Sequence, residues 1–306
     1  MRRKIIRQGV GGNTIFLPVK WVRANDLNAG DEVDVEEAEN KLIVSPGPGE
    51  KNDVFQLQLG EEYDRRILAI KLKVLYRLGH DQIRIKAHDI RQAKIIKKIV
   101  NSPELGFELV REKEELLEIE SIIEPGEEKQ DVMLRRMMFI VQEAFATVSY
   151  DLHVSRYINL KKMQDLNADI NQYYAFCRRN IMKKRFTEKK ASYYWEMYSR
   201  IALIEHSVLH LYEMLDKNRK VKISKPTVKL LEEVTEGFDQ MVKGFYKEDV
   251  KQVQKVFAGF DDLFYRKILG RMKKSSGVES IVVSYIGEMS RLIYLTSVTM
   301  SSIMVG

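Results

Sequence analysis

The chain has 306 residues, 44% of them hydrophobic and 31% charged, enough for two or three domains with cores of their own. Its formal net charge of +7 admits an anionic partner, while the single cysteine, Cys177, excludes an intrachain disulfide and a cysteine-based zinc site. No apolar run approaches the ~20 residues that cross a bilayer, and residues 1–7 lack an apolar signal core, so a cytoplasmic protein without membrane insertion is expected.

In chain order, residues 1–46 divide into short strand-like runs at Lys4–Gln8, Thr14–Leu17, Glu32–Glu36 and Lys41–Ser45. Glycines 9, 11, 12 and 30 and a turn at residues 39–41 punctuate them. Residues 19–25 suit one or two helical turns, with Pro18 at the helix start, where its missing N–H costs nothing. Charge is divided sharply. Arg2, Arg3, Lys4, Arg7, Lys20 and Arg23 all precede the first acid, Asp26, and Asp31, Glu32, Asp34, Glu36, Glu37 and Glu39 follow it. A basic half facing phosphates and an acidic half turned away suits a DNA-binding module. A linker is expected over residues 47–52, opened by Pro46-Gly47-Pro48-Gly49.

Residues 53–124 alternate strand and helix signals, as in a small α/β module. Val54–Leu59 is a strand candidate, Glu61–Leu78 a helix closed by Gly79, and Gln82–Lys86 a half-buried strand. Asp89 can cap a helix running to Val100, and Phe107–Arg111 with Leu116–Ile123 form a hairpin around residues 112–114. No catalytic constellation falls in this module.

From residue 125 to the end the period is helical, with expected helices at 127–154, 159–185, 190–217, 225–246, 248–272 and 278–304. Met163–Ala168 aligns with Val253–Ala258 at an offset of 90, and Ser199–Leu203 with Ser290–Tyr294 at an offset of 91. That spacing suggests two three-helix repeats, about 127–218 and 224–306, packed as one long bundle.

Residues 4–45 resemble the swapped-hairpin DNA-binding domain of the AbrB, SpoVT and MazE family. The resemblance rests on Lys4-Ile5-Ile6-Arg7, on Thr14-Ile15-Phe16-Leu17-Pro18, on Leu27-Asn28-Ala29-Gly30-Asp31-Glu32-Val33 and on the closing strand Lys41-Leu42-Ile43-Val44. It implies a dimer whose two chains interleave into one small β-barrel, a fitting outcome for a segment too short to bury much core alone. It also implies DNA contact through Arg7 and Arg23, which stand where the family carries DNA-contacting arginines. Arg3, Lys4 and Lys20 join them as the remaining basic candidates. Thr14 departs from the pattern, since bacterial members often carry arginine there.

Residues 127–306 are similar to the PhoU family of phosphate-uptake regulators, through Met133–Met137, Ala168–Tyr174 and Arg200–His206. An AbrB-like head on a PhoU-like body resembles archaeal phosphate-uptake regulators. The whole is therefore expected to be a multidomain α+β protein that regulates phosphate uptake as a dimeric DNA-binding transcriptional regulator. The alternative is an adaptor that docks on a phosphate transporter or sensor kinase without binding DNA. A MazE-like antitoxin is a third reading, against which the long C-terminal body argues.

PhoU-like proteins often hold metal clusters through carboxylates four apart on the third helix of each repeat. Here Glu205 takes one such position, while Ile201, Leu292 and Thr296 take the others. Asp165 with Asp169, and His206 with His210, are also four apart on helix faces and could hold a divalent transition metal with Glu205. The same residues equally suit a solvated helix face and ordinary hydrogen bonds. No Walker loop, Rossmann fingerprint or nucleophile elbow occurs, so neither a resident cofactor nor an enzyme is expected.

Overall fold

The computed structural model describes residues 2–9, 11–38, 41–46, 54–101, 106–121, 127–183 and 190–305. They fall into two compact units, residues 1–52 and 53–306. The linker expected at 47–52 lies outside the described residues.

The first unit holds two antiparallel hairpins and one short helix. Strands β1 (Ile6–Gln8) and β2 (Gly12–Thr14) pair with Arg7 opposite Asn13, and the turn passes through Gly9 and Gly11 at φ +66° and +98°. Glycine reaches those angles without a Cβ clash. The strand expected at Thr14–Leu17 is therefore displaced: the tight turn sets a three-residue register, and Ile15 to Leu17 find no ladder partner within the described chain. Helix α1 (Val19–Ala24) starts from Pro18, whose carbonyl accepts from Trp21 and Val22 backbone N–H at 2.9 and 3.0 Å. Strands β3 (Val33–Ala38) and β4 (Lys41–Pro46) form the second hairpin. No residue of this unit whose side chain is described is buried, and Ile5 and Phe16 are 73% and 69% exposed. Within one chain the hairpins are separate two-stranded sheets rather than a closed barrel.

The second unit opens with a four-stranded sheet in the order β5-β6-β8-β7, from β5 (Val54–Gln58), β6 (Gln82–Lys86), β7 (Phe107–Lys113) and β8 (Leu116–Ser121). The β5–β6 pair is parallel and the others antiparallel. Helix α2 (Arg65–Arg77) connects the parallel pair and buries Leu68, Leu72, Leu75 and Tyr76, an i, i+4, i+7, i+8 stripe. It begins four residues later than Glu61 because Asp64 is the cap, accepting from Arg66 N and Ile67 N at 2.6 and 3.2 Å. Gly79 ends it at φ +96°, as expected. Asp89 caps α3 (Ile90–Val100) through Gln92 N at 2.7 Å. The β7–β8 turn falls at Glu114 and Glu115, one residue beyond the expected span, with Glu114 at φ +53° and an irregularity near Val110 that shifts the register.

The remaining helices run as α4 (Glu127–Val154), α5 (Leu160–Lys183), α6 (Ala191–Lys217) and α7 (Lys225–Tyr246). The fifth expected helix is not continuous. It comprises α8 (Val250–Ala258), a turn at Gly259, a π-helical stretch Asp262–Ile268 and α9 (Leu269–Met272). Glycine at 259 lowers the cost of leaving the α-helix, and the wider turn accommodates the stacked Phe260 and Phe264 rings, 5.1 Å apart. Helix α10 (Gly277–Val305) closes the bundle. Two triplets face each other, with α6 against α10 and α4 against α7, around a single large core.

The sheet is tied to the bundle by Arg179 of α5, whose side chain is fully buried. Its Nη1 donates to the Tyr76 and His80 carbonyls, both at 2.8 Å, and its Nη2 to Asp81. The guanidinium also lies 4.8 Å from the centre of the Tyr76 ring. Lys183 adds bonds of 2.8 and 3.0 Å to Asp81, and Ala175 of α5 joins the sheet's own core. These contacts add donors to carbonyls at and just beyond the C-terminal end of α2, with positive charge where the helix dipole favours it.

Candidate functional site

The five basic candidates of the first unit occupy three adjacent pieces of chain. Arg3 and Lys4 precede β1, Arg7 lies at its centre, and Lys20 and Arg23 stand three apart on α1. That helical spacing sets Lys20 and Arg23 on one face, opposite half-buried Trp21 and Val22. All five are exposed, and among the described residues none forms an ion pair. The acids lie elsewhere, on Asp26 and from Asp31 onward, and Asp31 closes its turn by accepting from Asn28 N at 2.7 Å. Thr14 donates its hydroxyl to the Ile6 carbonyl at 3.2 Å and so braces the β1–β2 hairpin.

The candidate metal residues of the helical unit do not converge. Asp165 and Asp169 are exposed on α5, and Asp165 pairs with Lys161 at 2.6 Å. Glu205 is fully buried on α6, one position from half-buried His206 and five from exposed His210. Among the described residues no group of three or more His, Cys, Asp or Glu could hold a metal ion. The physical reason is the face each occupies: spacing of four puts each pair on one helix face, but the α5 acids face solvent while Glu205 faces the core.

Glu205 instead ends a polar relay. Its Oε2 accepts from Asn167 Nδ2 at 2.6 Å, and Oε1 has no hydrogen-bond partner. Asn171 Nδ2 reaches Asn167 Oδ1 at 3.1 Å, and the His206 Nε2 lies 3.3 Å from Asn171 Oδ1. Burial raises the Glu205 carboxyl to about 7 against the opposing Asn167 bond. Burial lowers His206, and the charges of His210 and Arg77 lower it further.

Two further places carry polar chemistry that the sequence did not flag. A cavity of about 360 Å³ between α7, α8, the π-helical stretch and α10 is lined by Gly237, Val256, Phe260, Ser290 and Tyr294 among others. Phe260 and Tyr294 stack at 4.4 Å within it, and two of its acids have partners, Glu233 in an ion pair with Lys267 at 2.7 Å and Glu236 accepting from Gln240 Nε2 at 3.0 Å. The second place is the seam where α2 meets α5 and α6, around Arg77, Tyr174, Arg178 and Trp195. Arg77 and Arg178 are 101 positions apart, so no local pattern joins them.

No helix among the described residues is long and apolar enough to cross a membrane. Residues 13–52 match the family described as antidote-toxin recognition MazE, bacterial antitoxin. The match spans part of the swapped-hairpin segment and none of the second unit. No curated protein and no solved structure matches the chain.

Proposed function

We propose that the protein is a dimeric, DNA-binding transcriptional regulator, in which the first unit meets DNA and the helical unit senses or docks. One observation carries this reading: residues 13–52 match the MazE antitoxin family, and the five basic candidates in and just before that stretch are exposed, form no ion pair among the described residues, and precede the acids in the chain. Arg7 at the centre of β1, and Lys20 and Arg23 on one face of α1, supply the positive charge that phosphates attract. Dimerisation has its own support, since the unit has no buried described side chain and exposes Ile5, Ile15, Phe16, Val35 and Leu42. A second copy interleaved with the first would cover them and close the barrel.

The narrower reading, control of phosphate uptake in the cytoplasm, rests on the similarity of residues 127–306 to PhoU regulators and on the two facing helical triplets. An adaptor that docks on a transporter or sensor kinase is the alternative for the same body. The matched family's description favours one further reading, recognition of a toxin. Mobility shift with the DNA upstream of the protein's own gene separates these. Sequence-preferring, salt-sensitive binding weakened by Arg7→Ala and Arg23→Ala supports the regulator. Absence of binding at low salt, with transporter, kinase or toxin co-purifying, rejects it.

A further inference from the structure

Half-buried cations in this molecule are normally compensated. Arg84 meets Glu118 at 2.8 Å, Arg271 meets Glu279 at 2.6 Å, Arg200 meets Glu196, and the neighbouring Arg179 meets Asp81 and two carbonyls. Arg77 and Arg178 break this rule. Their guanidinium carbons lie 4.9 and 5.0 Å from the centre of the same Tyr174 ring, which places them within about 10 Å of each other. Arg178 also lies over Trp195, its guanidinium carbon 3.6 Å from the ring centre, and donates Nη1 to the Tyr174 hydroxyl. Among the described residues no carboxylate pairs with either arginine, and the Nε of each is buried without a hydrogen-bond partner. Burial depresses Arg178, the Tyr174 interactions oppose that, and the Arg77 charge depresses it again. The same Arg77 charge reaches His206, with His210 beside it. Arg77 and Arg178, from α2 and α5, thus share one ring with no carboxylate partner among the described residues, and His206 of α6 lies within reach of the Arg77 charge.

Holding like charges together at partial burial costs free energy unless something of opposite sign completes the set. Guanidinium planes fixed by aromatic stacking are pre-organised for a compact, multiply hydrogen-bonding oxyanion, and a phosphoryl group matches that fork geometry. We infer that the seam between α2 and the α5–α6 pair is a phosphoryl-oxyanion site, with Arg77 and Arg178 as its cationic ligands and Tyr174 and Trp195 as the platform that holds them. The oxyanion is inorganic phosphate, or the same group carried by a lipid headgroup. This inference requires neither the DNA interface nor the phosphate-uptake role.

Trp195 reports on the site directly. The full chain carrying Trp21→Phe leaves it as the sole tryptophan, because the chain has only these two. Its fluorescence is titrated with sodium phosphate against sodium chloride at fixed ionic strength, and separately with phosphatidic acid vesicles against phosphatidylcholine vesicles. The expected result is a saturable change with one phosphoryl source, weakened at least tenfold by Arg77→Gln and by Arg178→Gln. The paired Arg7→Ala and Arg23→Ala substitutions leave it intact, which separates this site from anion binding on the DNA-facing surface. A response to free phosphate identifies a soluble ligand, and a response confined to phosphatidic acid identifies a headgroup. Circular dichroism of Arg77→Gln, a change at the last residue of α2, shows whether the helices persist. No saturable response to either source, or equal affinity in a folded Arg77→Gln protein, overturns the inference.

Discussion

Burial raises the Glu205 carboxyl to about 7, against the single Asn167 bond that favours its ionised form. A folded-state value above the ordinary 4.5 means the contribution to stability is fully present below pH 4.5 and is lost as pH rises through 7. Glu205→Gln keeps a neutral group of the same shape, so its stability should stay flat over that window and exceed the wild type by roughly 2–3 kcal/mol at pH 8. Urea unfolding at pH 5, 6, 7 and 8 checks this, and parallel curves for the two proteins would refute it. Glu279 behaves oppositely. Burial alone would raise it, but bonds from Ser224, Thr227 and Arg271 outweigh burial and hold it at about 2. Its contribution is present above pH 4.5 and lost as the pH falls towards 2. Glu279→Gln should therefore cost about 1–3 kcal/mol at neutral pH and progressively less on acidification. An equal cost at pH 7 and pH 3 would contradict that assignment. The sequence marks Glu205 as an acid on a helix, yet only packing decides that it faces the core beside Asn167 rather than a metal.

At the scale of elements, local chemistry set most boundaries. Asp89, Gly79 and Pro18 each act where their residue type directs, because a cap or a forced φ needs no distant partner. The departures have local causes as well: Asp64 caps α2, so the helix starts after it rather than at Glu61, and Gly259 divides the helix expected at 248–272. What stayed illegible is long-range. Arg178 and Arg179 read as part of one unremarkable helical run, but the first lies against Trp195 and the second is sealed beneath α2. Arg179→Ala should remove a donor from the Tyr76 and His80 carbonyls and the buried guanidinium from Asp81, which keeps Lys183, costing roughly 3–5 kcal/mol. Denaturant unfolding should then show the sheet module opening before the bundle, with a transition in two steps. An unchanged midpoint would show that the sheet is held by apolar contacts alone.

For the whole molecule, the first unit is the part in which no described side chain is buried. Its hairpins resemble the family from residue 4 to 45, the match at 13–52 agrees, and one chain forms two separate two-stranded sheets. Phe16, 69% exposed in the single chain, is expected to be buried in the pair, so Phe16→Glu should convert a dimer into a monomer in sedimentation experiments. A dimer that survives the substitution would place the interface elsewhere. The helical body has a core of its own, continuous from α4 to α10. The central claim is that two copies of the basic half-unit grip DNA phosphates. It is tested most directly by fluorescence anisotropy of a labelled upstream duplex, titrated with protein at several salt concentrations. The account predicts two chains per bound duplex, a steep fall of affinity with salt, and a salt slope reduced by about 0.9 for each phosphate contact removed in Arg7→Ala or Arg23→Ala. An affinity that is independent of salt, or slopes identical in wild type and both variants, would contradict it.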